Sequence, residues 1–488
     1  MDAYEKIEAM FNEIAILGEI AGQLSWDQET YMPEGANEAR GEQMAYLSAK
    51  MHKIVVSDEL KALIEEAEKL KNLDEWQASN LAIIAKERIH AAGIKTELVE
   101  ELNKACSASG MAWRKAKPGN NFKSWLPHFE KVLTLTKEMA NIKSDILGVS
   151  PYDTLLDSYQ PGMLQANIDP VFYELKAFLP DFINKIKGKY TKECKFNETY
   201  SNEKLDKFVR CMAETVGFDF NHGRIDTSAH GFCNGAMDDV RITYTSKNSP
   251  IKMAKTIIHE SGHALYSMNM PKKWKRQPVG SYVGMGAHES QSLFFEYQVA
   301  HDERFISYLT NEMKAAFSFD EITYDNVLCA LRQVKPSFIR VDADEVTYPL
   351  HVIMRYEIEK ELINGELQAH DVPVRWAEKM QEFFALTPPS DTEGCMQDIH
   401  WPQGMIGYFP SYTIGAVTAA QLKHTMEVQN PNIMDGLESG DLSAVRVWLA
   451  DNMHSLGALL PLPKLVKKIT GNELSASYFI QHLKNRYG

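Results

Sequence analysis

Residues 249–268 read SPIKMAKTIIHESGHALYSM, and this stretch sets both the local fold and the chemistry to look for. Ser249 and Pro250 supply an N-cap and a first-turn proline, so the pattern predicts a helix running to about Met268. Within it lies His259-Glu260-Ser261-Gly262-His263, an HExxH pattern flanked by apolar Ile257, Ile258, Ala264 and Leu265. Histidines four apart on a helix project from one face, about one turn separated. Both imidazoles can then meet a single tetrahedral ion while the glutamate between them faces an attacking water.

A catalytic ion of this kind takes a third protein ligand and keeps one position open. After a connection containing Pro271, Pro278, Gly280, Gly284 and Gly286 comes a second helix-like run, AHESQSLFFEYQVA, residues 287–300. Glu289, near its start, completes a His₂Glu set. His288 is the rival ligand, and a satisfied surface histidine is the plain alternative for it. Glu296, two turns along, is placed either to orient a ligand imidazole or to stand as an exposed carboxylate. In such a site Glu260 takes a proton from the attacking water and passes it to the leaving amine, which is amide-bond hydrolysis.

Upstream, over roughly 223–248, the helical period breaks. Val240, Ile242 and Tyr244 alternate with Asp239, Arg241 and Thr243, a half-exposed strand pattern, so a small sheet is expected before the HExxH helix. Asp239 and Arg241 share one face of that strand and are expected to form an ion pair shaping the wall beside it. Elsewhere the apolar residues recur at helical spacing, as in Leu17, Ile20 and Leu24, or Leu60, Leu63, Ile64 and Leu70. No internal repeat, low-complexity tract or Ser/Gly-rich linker interrupts them. The expected organisation is mainly α, one continuous body over 1–488 with room for two lobes.

The 488 residues are 44% hydrophobic and 24% charged, enough apolar material for a large core. With 52 basic and 66 acidic side chains the net charge is −14, which argues against a nucleic-acid backbone or an anionic membrane as partner. Six cysteines at 106, 194, 211, 233, 329 and 395 have no CxxC spacing, so neither a disulfide framework nor a thiolate metal site is expected. The opening residues lack a basic leader with an apolar core, and no stretch is long enough to span a bilayer. A cytoplasmic location is therefore the expectation.

Further motifs give the HExxH helix a specific context. The chain holds Asp239-Val240-Arg241-Ile242-Thr243 as DxRxT, His288-Glu289-Ser290-Gln291 as HESQ, Ile339-Arg340-Val341-Asp342-Ala343-Asp344, and Gly394 to Trp401 as GxxQDxHW. This ordered set resembles the carboxypeptidase Taq family of thermostable-type metallocarboxypeptidases. The resemblance extends to Trp26-Asp27-Gln28-Glu29-Thr30, to Tyr152–Asp157 with Pro161-Gly162, and to Gly407–Tyr412, and so covers nearly the whole chain. It implies a large helical, neurolysin-like gluzincin fold with a deep substrate groove between two lobes and a small sheet along it. It further implies a homodimer that removes residues from peptide C-termini with broad specificity. One divalent metal ion per chain is implied, usually Zn²⁺, with Co²⁺ or Mn²⁺ able to support activity. One departure is visible: where the family commonly has His-Pro-Phe, this chain has His230-Gly231-Phe232, and glycine loosens a backbone that proline would fix.

A carboxypeptidase needs a cation for the free C-terminal carboxylate of its peptide substrate. The resemblance assigns that role to Arg340, whose guanidinium can pair bidentately with a carboxylate; an internal bridge to Asp342, Asp344 or Glu345 is the structural alternative. Arg355 is expected to pair with Glu359 along its own helix. His400 can donate to the substrate, with Asp398 and Trp401 packing and orienting it. Tyr408 and Tyr412 are both candidates to donate to the oxyanion, or else fill space around Pro410. His230 either contacts the peptide backbone or caps a turn. Trp26 reads as core. Against this stand an oligopeptidase of the same fold cleaving internal bonds, and a catalytically silent peptide-binding protein.

Overall fold

The computed structural model describes residues 1–190, 194, 196, 200–245 and 249–488. Residues 246–248, the tail of the stretch expected to hold the sheet, lie outside the described residues. Among those described, nineteen α-helices carry most of the chain, and three short strands form a sheet. The mainly helical expectation is what is found. The chain divides into two compact units: Met1–Ala91, Glu193–Arg332 and Thr418–Asn472 form one, and Ala92–Lys192, Gln333–Val417 and Glu473–Gly488 the other. Among the described residues no helix is long and apolar enough to cross a membrane.

In the first unit the strands are β1 (Gly223–Thr227), β2 (Cys233–Ala236) and β3 (Asp239–Tyr244). β3 is central, parallel to β1 and antiparallel to β2. Val240 and Ile242 are fully buried, and β3 packs on the helix Pro250–Met268. On the other face Arg241 donates twice to Asp239, at 2.8 Å each, which is the expected ion pair. Its guanidinium lies 4.6 Å from the Trp26 ring, and that of Arg224 lies 4.9 Å from it. Trp26 is thus a buried wall element held by two cations. Thr243 departs from the expected alternation: it is buried because its hydroxyl serves the His230–Phe232 loop.

The HExxH helix occupies Pro250–Met268, as its sequence predicts, with Ser249 extended at the N-cap position but making no side-chain cap bond. Ile257, Ile258, Ala264 and Leu265 are buried along it. It lies against the helix Met285–Leu293, which continues as a π-helical stretch over Phe294–Ala300. The wider turns of such a stretch are a frequent feature of functional sites. Gly262 allows the close approach of the two helices, since a Cβ there would fall 2.6 Å from the Gln291 carbonyl oxygen.

One cysteine expectation fails. Cys194 and Cys329 are joined in a disulfide with Cα atoms 6.3 Å apart, a pairing across 135 residues that no local spacing could reveal.

In the second unit the helix Tyr348–Asn364 is buried on nearly all sides. Its Glu359 accepts from Tyr152 Oη (2.7 Å), Trp401 Nε1 (2.8 Å) and the Gly407 amide (2.9 Å), tying three distant sequence segments to one carboxylate. Burial pushes that carboxyl up to about 7, the three donors opposing. Arg355 does not take Glu359 as partner, contrary to the helical-spacing expectation. It bonds Asp398 instead, because the i+4 carboxylate is already engaged by groups from outside the helix.

Candidate active site

Four side chains from two adjacent helices form the metal-type centre of the first unit. His259, His263 and Glu289 each offer a ligand atom, and all three atoms lie within 4.8 Å of one another. His263 Nε2 is 3.4 Å from Glu289 Oε2. Two imidazoles and a carboxylate at this separation form a donor set that fits a divalent ion such as zinc. Glu260 lies between the two histidines and is buried. Burial raises its carboxyl, with His259 and His263 opposing, whereas Glu289 is held low because His263 and His259 outweigh its burial.

Each histidine is held from behind. His259 Nδ1 lies 2.8 Å from Glu296 Oε2, and Lys255 Nζ lies 3.2 Å from the other Glu296 oxygen. Burial opposes ionisation of Glu296, but Lys255 and His259 overcome it and hold the carboxyl down to about 2. Of the two sequence readings, orientation of an imidazole is the one the geometry matches. Lys255 was not anticipated, although its position one turn before His259 was the available signal. His288, the rival ligand, turns away from the three-atom cluster: its Nδ1 is 2.5 Å from His263 Nδ1. Its ring also meets that of Tyr282 edge-on at 4.6 Å, another contact absent from the sequence reading.

The loop between β1 and β2 carries His230, which is exposed. Its carbonyl accepts from Thr243 Oγ1 at 3.2 Å and from Ser228 Oγ, while the Phe232 amide donates to Thr243 Oγ1 at 3.1 Å. Gly231 therefore does not leave the loop slack. A Cβ at 231 would meet the Thr256 methyl at 2.5 Å and Glu260 Oε1 at 3.3 Å, so the threonine fills the room a larger residue would claim.

The second unit holds the remaining sequence candidates. Arg340 and Arg355 share Asp398: Arg340 Nε donates to Oδ1 at 3.0 Å and Arg355 Nε to Oδ2 at 2.7 Å. None of the three acids anticipated for Arg340 is its partner. Two buried guanidiniums against one carboxylate leave the trio with one net positive charge. Against its own burial, Asp398 is held far below the usual carboxylate range by the two arginines. Arg340 also donates to Tyr348 Oη at 2.5 Å, and its guanidinium lies 5.0 Å from the Tyr412 ring. His400 Nε2 is 3.4 Å from Tyr412 Oη, and its ring lies 4.4 Å from Phe409 and 5.4 Å from Tyr408. Burial, then Arg340, push His400 down to about 3, so it is neutral. Arg340, His400, Tyr408 and Tyr412 thus come together. Asp398 serves the arginines rather than orienting the histidine, and Trp401 bonds Glu359.

Comparison with known proteins covers the whole chain. The family model described as carboxypeptidase Taq (M32) metallopeptidase matches residues 6–487. Carboxypeptidase 1 of Bacillus subtilis is 33% identical over 98% of this chain and 96% of its own. Thermostable carboxypeptidase 1 of Pyrococcus furiosus is 30% identical over 100% and 98%. Among solved structures, metallocarboxypeptidase 1 of Trypanosoma cruzi superposes with a TM-score of 0.96 at 33% identity, covering 99% of both chains.

Proposed function

The chain belongs to the carboxypeptidase Taq (M32) metallopeptidase family, hence is a metallocarboxypeptidase, and we propose that His259, His263 and Glu289 hold its metal ion while Glu260 is the general base. The observation that carries this reading is the convergence of those three ligand atoms within 4.8 Å beside a buried Glu260. The donor set favours Zn²⁺, with Co²⁺ or Mn²⁺ as workable substitutes. When bound, the ion supplies Lewis acidity toward the scissile carbonyl and the attacking water.

The protein's own groups do the rest. Glu260, raised by burial, takes a proton from the water and returns it to the leaving amine. Glu296 fixes the tautomer and orientation of His259. Arg340 receives the peptide's free carboxylate, supported by the uncompensated positive charge of the Arg340–Arg355–Asp398 trio. Neutral His400 and the phenols of Tyr408 and Tyr412 supply hydrogen bonds to substrate, and the edge loop at His230 meets the peptide backbone. Broad specificity, a homodimer and a cytoplasmic location complete the proposal.

The test is digestion of one defined peptide after chelation and again after adding Zn²⁺, Co²⁺ or Mn²⁺. Stepwise loss from the C-terminus that stops on chelation and returns with metal is the expected result. Internal fragments, or loss unaffected by chelation, would overturn the reading.

A further inference from the structure

The two ligand histidines are backed by different chemistry. His259 leans on a carboxylate, as ligand imidazoles commonly do. Among the described residues no carboxylate meets the far nitrogen of His263: its Nε2 points to the Glu289 side of the centre, and its Nδ1 meets the Nδ1 of a second histidine, His288, at 2.5 Å. The two ring planes are inclined by 29° and their centroids lie 4.5 Å apart, so the nitrogens meet edge to edge. The far side of His288 reaches Ser267, whose Oγ is 3.3 Å from His288 Nε2. Ser267 lies one turn beyond His263 on the same helix, so this chain of contacts closes on the helix that carries the ligand.

We propose that His288 and Ser267 form a positioning relay for His263: His263 donates from Nδ1 to His288 Nδ1, and His288 donates from Nε2 to Ser267 Oγ. The tautomers follow from the hydrogen bonds. A His263 that offers Nε2 to a metal carries its hydrogen on Nδ1, so His288 accepts on Nδ1 and has its own hydrogen on Nε2. The serine hydroxyl is the acceptor that makes this tautomer the favoured one. Tyr282 and Tyr266, with ring centroids 4.6 and 5.6 Å from that of His288, keep the intermediate ring in place. The consequence is an asymmetric site, with an anion behind one imidazole and a chain of uncharged acceptors behind the other. His263 should then be the less electron-rich ligand and the one whose orientation depends on packing.

The inference rests on His263 being a metal ligand, and the experiment separates the two. Zn²⁺ affinity is measured by competition with a chromophoric chelator, and site geometry by the visible absorption of the Co²⁺-loaded protein. His288→Phe keeps the ring volume and removes the acceptor; it should weaken Zn²⁺ about 10- to 100-fold and alter the Co²⁺ bands, with little change in apo-protein melting. His288→Asn, which can place an acceptor near the Nδ1 position, should recover most of the affinity. Ser267→Ala should weaken Zn²⁺ by a smaller factor than His288→Phe, and carries the test if the phenylalanine variant does not fold. Wild-type affinity in His288→Phe, or in Ser267→Ala, overturns the relay, as does an asparagine variant no better than phenylalanine. Undiminished binding in His263→Ala would instead overturn the ligand assignment itself.

Discussion

The α-carbon of Gly262 stands so close to the backbone of Gln291 that an added Cβ would lie 2.6 Å from the Gln291 carbonyl oxygen and 2.8 Å from the Ser292 α-carbon. Both obstructing atoms are backbone, so no rotamer change relieves the clash. The contact sets how far Glu289 stands from the HExxH histidines. Alanine is the better helix former by about 1 kcal/mol, yet Gly262→Ala should destabilise, because forcing the helices apart costs about 1–3 kcal/mol. Lower melting temperature together with weaker Zn²⁺ binding in chelator competition is the expected pair of results. A variant that gained stability and kept its metal would show the approach is not needed.

Glu260→Gln removes the base while keeping the shape of the side chain. Metal content measured by elemental analysis should stay near normal, since neither imidazole nor Glu289 is altered. kcat should fall by about 10²- to 10⁴-fold, the usual worth of a positioned general acid and base. Near-normal turnover would remove Glu260 from the mechanism.

The HExxH helix, the strand before it and the Glu289 helix were legible because each rests on local periodicity or on spacing within a few residues. The partners of buried charge were not. Arg355 and Glu359 are four apart on one helix and still do not pair, since Tyr152, Trp401 and Gly407 converge on the glutamate while Asp398 takes the arginine. Nothing in a one-dimensional pattern says which of several acids will reach a buried guanidinium. Cys194–Cys329 is missed for the same reason. Gly231 misled in the opposite sense: read as looseness, it is a packing position held by Thr243 and filled by Thr256.

Arg340 and Asp398 make opposite predictions. Arg340→Ala leaves Arg355 and Asp398 as a balanced pair, so the fold should survive. kcat/KM on free-carboxylate peptides should drop about 10- to 100-fold, the worth of a charge-assisted contact. C-terminally amidated peptides, which cannot use the arginine in this way, should be cleaved no worse than by the parent protein, and metal binding should be unchanged. Lysine at 340 should not restore activity, because a point charge cannot reproduce the paired donors. Asp398→Asn instead leaves two buried guanidiniums without an anion, and should cost about 3–5 kcal/mol in denaturant unfolding. Equal loss on free and amidated peptides in Arg340→Ala would argue for a purely structural arginine.

The buried His400 gives stability a pH dependence with a definite sign. Burial and Arg340 lower it from the ordinary 6.5 to about 3, so between those values the unfolded chain binds a proton that the folded protein refuses. The His400 contribution to the unfolding free energy then rises with pH through that window, by at most about 1.4 kcal/mol per unit, and is fully present above 6.5. Asp398, depressed by the two arginines, adds a loss of the same sign at lower pH as it is forced to protonate. In denaturant unfolding between pH 4.5 and 6.5 Asp398 stays ionised, but the lowered His351 and His454 and the raised Glu359 also contribute to the slope, so the His400 share is read as the difference between parent and variant. His400→Gln should give a shallower slope over that interval than the parent protein. An unchanged slope would mean that His400 takes up its proton in the fold, in conflict with its place beside the Arg340 guanidinium.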